Sequence, residues 1–183
     1  MKKKTTYENY ELSSLTMLVT PQFDDFGNVY AKVIEEDQDI IIRKSPLQII
    51  EVACEYFGSD LRGRQRATEV IANYTYKLPI AIEPYNNIYF FPTASPTTLT
   101  CSWLSHSHIL RIYQLSSKQS EIIFNNGRRY TLDVSKHSLT NQLHRTAQLR
   151  YLIEQRIKDP KVDFHYPPLS LVADPKRYFR PFS

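Results

Sequence analysis

Apolar residues in this chain are grouped into short runs that turn residues separate, and this spacing limits the possible folds more than any other feature. Runs such as Ile40–Ile42 and Ile80–Ile82 have the length of a β-strand. They fall far short of the about 18 residues that a membrane-spanning helix needs. Apolar residues still make up 42% of the 183 residues, as in globular proteins. The sequence therefore predicts a folded protein built largely from short strands, without a membrane segment.

Two pairs of these runs flank turn residues and predict β-hairpins. Ser14–Thr20 and Val29–Glu35 enclose a turn around Gly27-Asn28, and Glu121–Phe124 and Arg128–Val134 enclose Asn125-Asn126-Gly127. Further strands are predicted at Asp39–Arg43, Thr68–Tyr76, Pro79–Ile82, Asn87–Phe91, Cys101–Leu104 and His108–Tyr113.

Two segments have helical spacing. Ser45–Phe57 begins with a Ser-Pro pair suited to a helix start and is followed by Gly58, suited to a helix stop. The second segment runs from Ser138 to Lys158, before Pro160. The expected fold is α+β, a mostly antiparallel sheet with one mid-chain helix, one C-terminal helix and a Pro-rich tail. We expect a flexible segment at 1–13, a single DNA-binding domain at 14–158 and the tail at 159–183.

The sequence lacks the motifs of common catalytic classes. It has four glycines, and no phosphate-binding, dinucleotide-binding or nucleophile-elbow motif. The best alternative is a thiol or metal centre formed by Cys101, His106 and His108. However, a zinc site needs three or four ligands, and no acidic residue is placed to orient a Cys–His pair. We therefore expect a protein that is not an enzyme and has no metal or cofactor.

Charge is distributed unevenly along the chain. Residues 1–41 hold 4 lysines and 8 acidic residues, whereas residues 42–183 hold 19 basic and 11 acidic residues. A basic body suggests an anionic partner such as nucleic acid. Aromatic residues make up 13% of the chain and are equally compatible with a protein-interaction module that binds no DNA. The two cysteines and the charged, polar N-terminus predict a cytoplasmic protein.

Arginines cluster at two sites predicted to be exposed turns. Arg62, Arg64 and Arg66 surround Gly63 in a segment without an apolar face, which predicts a loop or strand edge. Arg128 and Arg129 follow Asn126-Gly127 at a hairpin turn. Arginine suits phosphate groups and narrow minor grooves, so these residues are candidate DNA contacts. No helix-turn-helix with a short Gly turn is evident. A groove role for the helix after Ser138, which carries Arg145, is a second option.

Three stretches of the chain are similar to the competence transcription factors of the ComK family. The first comprises Pro46–Ile50, Cys54, Phe57-Gly58-Ser59 and Gly63-Arg64. The second comprises Pro79-Ile80, Pro84, Ile88, Phe90–Thr93, Cys101, Trp103, Ser105-His106 and His108. The third comprises Phe124, Asn126-Gly127, Ser138, Asn141-Gln142, Arg145–Ala147 and Leu149-Arg150. The resemblance spans residues 14–157 and covers the candidate contacts Gly63, Arg64, Asn126, Gly127 and Arg145.

This resemblance implies a sequence-specific activator of DNA-uptake genes. It implies recognition of paired A/T-rich promoter boxes, largely through the minor groove, by a homodimer or a dimer of dimers in the nucleoid. RNA polymerase and a proteolytic adaptor are further expected partners. The adaptor of well-known members reads a Phe-x-x-Tyr-Pro segment in the tail; here Phe164-His165-Tyr166-Pro167 is one residue shorter between the aromatic residues.

Overall fold

The computed structural model describes residues 6–158, which contain ten strands and three helices. The helices are α1 (Pro46–Tyr56), α2 (Leu61–Ala72) and α3 (Lys136–Lys158). The strands are β1 (Thr6–Tyr7), β2 (Thr16–Phe23), β3 (Val29–Glu35), β4 (Asp39–Ile42), β5 (Ile80–Glu83), β6 (Ile88–Pro92), β7 (Trp103–Ser105), β8 (Ile109–Gln114), β9 (Ser120–Phe124) and β10 (Arg129–Leu132). A 3-10 turn at His106–His108 joins β7 to β8.

The strands form two sheets. The larger sheet has seven strands in the order β1-β4-β3-β2-β7-β6-β5, and its strands pair antiparallel except for β1 with β4. The smaller sheet has the order β10-β9-β8 and is antiparallel. Because consecutive strands of the smaller sheet are also neighbours in space, short turns are sufficient to connect them.

Neighbouring residues in the central strands of the larger sheet point into two different cores. Val19 and Trp103 belong to the core that α1 covers, with Ile49, Ile50 and Cys54. Their neighbours in sequence, Leu18 and Leu104, belong to a second core on the other face, together with Ile122 and Phe124 of the smaller sheet and Leu139 of α3. This alternation follows from the two-residue period of a strand. The larger sheet is therefore the middle layer, with α1 on one face and the smaller sheet on the other.

The predictions for the helix at Ser45 and for both hairpins are confirmed. The Ser45 hydroxyl accepts a hydrogen bond from the Gln48 amide, the Gln48 side chain accepts one from the Ser45 amide, and Pro46 occupies the first turn. This reciprocal pair satisfies two amide groups that a helix start leaves free. The hairpins β2–β3 and β9–β10 pair antiparallel as expected, and α3 begins two residues before the predicted Ser138.

The expected α+β class with antiparallel sheets is confirmed, but two details of the prediction are wrong. The described residues form two sheets, not one, because the smaller sheet packs on the second core instead of extending the larger sheet. The mid-chain region contains two helices, not one, because α2 occupies residues predicted to be a loop followed by the strand Thr68–Tyr76.

The Pro-rich tail at 159–183 and residues 1–5 lie outside the described residues. Within the predicted leading segment 1–13, Thr6–Tyr7 form β1 against β4 and Leu12 is buried in the core under α1. This part of the segment is therefore packed on the body. The division of the chain into a segment, one domain and a tail stays a prediction.

Candidate nucleic-acid interface

The arginine-rich segment after Gly58 is a helix and not a loop. α2 begins at Leu61 after Asp60, whose carboxylate accepts a 2.7 Å hydrogen bond from the Gly63 amide. Leu61 and Thr68 are its buried residues, and the Thr68 hydroxyl donates to the Pro79 carbonyl at 2.7 Å. α2 has only these two buried residues, one of them polar, so no apolar stripe marks it in the sequence.

α1 and α2 form a helix–turn–helix unit, contrary to the expectation that none is present. Gly58 has a φ of 72°, in the left-handed region that favours glycine. The Gly58 amide donates to the Glu55 carbonyl and the Ser59 amide to the Cys54 carbonyl, the pattern that ends a helix in a Schellman motif. Residues 57–60 therefore form a short Gly-containing turn between two helices, as in helix-turn-helix proteins.

Helical geometry separates the three arginines of α2. Arg62 and Arg66 are exposed and lie on one face because they are four residues apart. Neither has an ion-pair partner within residues 6–158. Arg64 lies on a different face, and its guanidinium donates to the Phe57 carbonyl at 3.3 Å. Arg64 thus ties α2 to the end of α1, which leaves Arg62 and Arg66 for an external anion.

Gly63, between Arg62 and Arg66, is a glycine that the fold does not require. Its backbone is helical, and a Cβ atom built there would meet the Asp60 carboxylate and the Ser59 hydroxyl at 3.4 Å, an ordinary contact distance. Glycine in a helix is less stable than alanine by about 1 kcal/mol. Glycine is favoured where another molecule must approach the backbone closely, and this position is exposed.

The tip of the β9–β10 hairpin packs on the larger sheet. The Asn126 amide group donates to the Glu36 carbonyl at 2.8 Å, while Gly127 has a φ of 83°. The Arg128 guanidinium donates to the Glu35 carbonyl and forms an ion pair with Asp39. Burial alone would raise the pKa of Asp39, but the hydrogen bonds and the charges of Lys32 and Arg128 hold it below its usual value. Arg128 therefore joins the two sheets.

The Arg129 side chain lies on the outer face of the smaller sheet, unlike that of Arg128. It is exposed and lies opposite Ile123 of β9, which in turn lies opposite Arg111 of β8. Arg129 also contacts Glu121, with a nitrogen–oxygen distance of 3.3 Å. The outer face of the smaller sheet thus presents Arg111 and Arg129, and Arg111 is a basic residue that our sequence reasoning did not single out.

Arg145 of α3 is held between protein groups. Its guanidinium carbon lies 4.2 Å from the centre of the Tyr74 ring and 5.1 Å from that of Tyr76. The same group donates to the Tyr76 carbonyl at 2.8 Å and to the Gln142 side chain. Stacking on aromatic rings and several carbonyl contacts are typical of a structural arginine. Arg145 thereby fixes the segment between α2 and β5 on α3.

The nine candidate residues therefore do not form one continuous surface. Arg62, Gly63 and Arg66 form an exposed patch on α2, which we call the α2 face. Arg129 lies on the outer face of the smaller sheet. The guanidinium groups of Arg64, Arg128 and Arg145 bind other parts of the protein. A signal for the α2 face exists in the sequence: Asp60 is a helix-capping residue immediately before it.

The alternative centre at Cys101, His106 and His108 has little chemical support. Cys101 is buried, its thiol contacts the carbonyls of Ala94 and Ser102, and burial raises its pKa. His108 contacts the Ser105 hydroxyl at 2.8 Å. Within the part of the chain described, no hydrogen bond joins Cys101 to either histidine, and no group of three or more His, Cys, Asp or Glu side chains is placed to hold a metal ion. A buried neutral thiol is a weak nucleophile.

Among residues 6–158, no helix combines the length and the apolar character needed to cross a membrane. The comparison with solved structures found no match. A curated relative, the competence transcription factor of Bacillus subtilis (strain 168), is 37% identical over 150 residues, which are 82% of this chain and 78% of the relative. A family model described as "ComK protein" matches residues 7–158. The chain therefore belongs to this family of transcription factors and, as the sequence predicted, is not an enzyme.

Proposed function

We propose that this protein is a DNA-binding transcriptional activator of competence genes. The observation that carries the proposal is the α2 face, where Arg62 and Arg66 are exposed on one side of a helix without an ion pair in residues 6–158. Duplex DNA carries a dense line of phosphate charge that such guanidinium groups neutralise. Gly63 allows the DNA backbone to approach α2 between the two arginines.

The target is paired A/T-rich boxes in promoters, read largely through the minor groove. A/T tracts have a narrow minor groove whose negative potential attracts arginine, and the exposed side chains of Arg62 and Arg66 can enter it. Residues 14–158 form the DNA-binding domain, and a homodimer or a dimer of dimers sets the spacing between boxes. The protein acts in the cytoplasm on the nucleoid, with RNA polymerase as a partner and an adaptor that directs proteolysis through the tail at 159–183.

The remaining candidate residues have unequal support as DNA contacts. Arg129 is exposed, but it lies on the smaller sheet and already forms an ion pair with Glu121. Contacts by Arg64, Asn126, Gly127, Arg128 or Arg145 require the DNA to reach groups that already bind the protein. We therefore place the main contact at Arg62, Gly63 and Arg66, with Arg129 as a second contact to be tested separately.

A second mode of binding is favoured by the helix–turn–helix unit. In such units the second helix enters the major groove and its first turns contact base edges. α2 occupies the second position, and its first turns carry Arg62 and Arg66. In this mode the same residues contact DNA, but the sequence is read on the major-groove edges of the bases.

Salt-dependent binding to an A/T-rich duplex tests the contact residues. The slope of log K against log salt falls by about 0.9 for each phosphate that the protein no longer neutralises. We expect this reduction for Arg62→Ala and Arg66→Ala, and no change for Arg156→Ala, an exposed arginine at the end of α3. A reduced slope for Arg129→Ala would indicate that the smaller sheet also contacts DNA, and an unchanged slope would indicate that it does not. Unchanged slopes for both α2 variants, or no binding of the wild type, would favour the alternative of a protein-interaction module without DNA binding.

Base analogues separate the two groove modes. An inosine·cytosine pair presents the minor groove of an A·T pair and the major groove of a G·C pair, because inosine lacks the guanine amino group. Minor-groove reading predicts that boxes substituted with inosine·cytosine keep wild-type affinity, whereas G·C boxes lose it. Loss of affinity with both substitutions would assign α2 to the major groove.

A further inference from the structure

Strand β8 has a backbone edge that pairs with no other strand within residues 6–158. It is the last strand of the order β10-β9-β8 and is six residues long, against four for the edge strands β5 and β10 and two for β1. The Leu115 amide donates to the Gln119 carbonyl, so alternate residues from Leu115 backwards direct their backbone groups towards β9. The amide and carbonyl groups of Ile112 and Gln114 therefore point away from the sheet. Such an edge is a template for another strand.

The side chains along this edge are apolar or aromatic to an unusual degree for an exposed strand. Leu110, Tyr113 and Leu115 are 56%, 43% and 53% exposed, and β8 contains neither proline nor lysine, two residues that commonly protect an edge. Arg111 is the charged residue of the strand, and its guanidinium contacts the Tyr113 hydroxyl at 3.4 Å.

We propose that β8 pairs antiparallel with β8 of a second copy of this chain, in the register centred on Tyr113. In this register Ile112 of each copy lies opposite Gln114 of the other, so the outward amide and carbonyl groups of these two residues are paired in both copies. Tyr113 meets its counterpart on the two-fold axis, and Arg111 lies opposite Leu115, whose side chain its aliphatic stem covers. Two three-stranded sheets thereby become one six-stranded sheet with an isologous interface.

Charge disfavours the register centred on Arg111. A register centred on Arg111 would also place even-numbered residues opposite each other, but it would set the two Arg111 guanidinium groups face to face, which is unfavourable. The register centred on Tyr113 keeps these groups apart and uses an aromatic pair at the centre, where side chains are closest. The register centred on Tyr113 is therefore favoured over the one centred on Arg111.

This interface supplies a surface for the homodimer of the proposed function and rests on that function only for its biological role. The test uses no DNA, so its failure is distinguishable from failure of DNA binding. The first experiment is oxidative cross-linking of the full chain with one new cysteine. In the proposed register, Tyr113→Cys places two cysteines opposite each other at a non-hydrogen-bonded pair, with Cα atoms about 4.5 Å apart, within disulfide range.

The matched control is Arg111→Cys, on the same face of the same strand. Its two copies would lie four residues apart along the strands, about 13 Å, too far for a disulfide. The native Cys54 and Cys101 are buried, so the wild type is expected to give no cross-link. We expect a covalent dimer with Tyr113→Cys alone. Equal cross-linking of both variants, or of neither, overturns the proposal.

A second variant tests the backbone pairing. Gln114→Pro removes an outward amide and leaves the β8–β9 hydrogen bonds in place, since that amide does not take part in them. We expect sedimentation equilibrium to show a wild-type dimer, and a monomer–dimer dissociation constant at least tenfold higher for Gln114→Pro with an unchanged circular dichroism spectrum. A wild type that is monomeric throughout the micromolar range, or a Gln114→Pro dimer as tight as the wild type, also overturns the proposal.

Discussion

The guanidinium of Arg128, one residue past the turn of the β9–β10 hairpin, forms an ion pair with Asp39 of β4 and hydrogen-bonds the Glu35 carbonyl at the end of β3. The two sheets are therefore joined by a charged contact as well as by their shared apolar core. Glu35 and Asp39 bracket a tight turn, so the arginine also fixes the shape of that turn.

Removal of this contact is expected to destabilise the fold. Hydrogen bonds to charged groups contribute about 1.5–3 kcal/mol, and about a third of the Arg128 side chain is exposed. We expect Arg128→Ala to lower the free energy of unfolding by about 2 kcal/mol, measured by urea denaturation. Arg129→Ala is the control, because its exposed ion pair with Glu121 contributes less than about 1 kcal/mol. Equal losses for both variants would contradict the structural role of Arg128.

Gly58 and Gly63 both lie in the helix–turn–helix unit, but their substitution by alanine should have opposite effects on the stability of the protein. Gly58→Ala forces a left-handed backbone on a side chain and should destabilise the protein by about 1–2 kcal/mol. Gly63→Ala meets only ordinary contacts and should stabilise it by about 0.5–1 kcal/mol.

If DNA approaches the α2 face, Gly63→Ala is also expected to weaken binding to an A/T-rich duplex several-fold while the folded protein becomes more stable. Thermal denaturation and a gel-shift titration of the same sample measure the two effects. A variant that is stabilised and binds DNA as the wild type does would remove Gly63 from the interface.

Substitution of Arg145 should affect stability and not the electrostatics of DNA binding. Arg145→Ala loses the stacking on Tyr74 and the hydrogen bond to the Tyr76 carbonyl, so we expect a loss of about 2 kcal/mol in the free energy of unfolding. Arg145→Lys keeps the charge but loses the planar group, and it should recover less than half of this loss. A salt slope reduced in Arg145→Ala would instead indicate that Arg145 binds a phosphate.

The stability of the fold should decrease in mild acid because of two histidines. Burial lowers the pKa of His106, with a further contribution from the charge of Arg150. Burial also lowers the pKa of His108, although Glu36 partly opposes this. The folded protein thus holds both rings neutral, and protons bind the unfolded chain more readily. Stability is therefore complete above the unfolded pKa of about 6.5 and falls as the pH decreases through that value.

Urea denaturation at pH 7.5 and pH 5.5 measures this effect. We expect the wild type to lose stability between the two values and the H106Q/H108Q variant to lose clearly less, because glutamine does not titrate. Carboxylates with lowered pKa, such as Asp39, lose their stabilising charge only at lower pH. An identical pH dependence in the variant would show that other groups are responsible.

Local patterns in the sequence were sufficient for most of the strands, the hairpins and α1, but they missed β1 and wrongly predicted a strand at Thr68–Tyr76. The turn at Asn126-Gly127 and the Ser45 cap each act within a few residues, so their signals are complete in the sequence. α2 was missed because a helix that buries only Leu61 and Thr68 has no apolar period to detect. The extent of α3 was predicted to within two residues at its start.

The roles of individual arginines could not be predicted because they depend on partners far away in the sequence. Arg128 contacts Glu35 and Asp39, 93 and 89 positions earlier, and Arg145 contacts Tyr76, 69 positions earlier. Charge and predicted exposure therefore gave the same interpretation, a DNA contact, for all of these arginines. Only the three-dimensional arrangement distinguishes arginines that hold the fold together from those that remain for a ligand.

The α2 helix is attached to the body by its inner side alone, while Arg62, Arg66, Glu69 and Val70 remain exposed. Substitutions at such positions usually change stability by less than about 0.5 kcal/mol. These four residues can therefore change during evolution with little effect on the stability of the fold. On the proposed function, the part of the molecule that selects promoters is also the part most open to mutation, so that new target sets can arise by single substitutions on an unchanged scaffold.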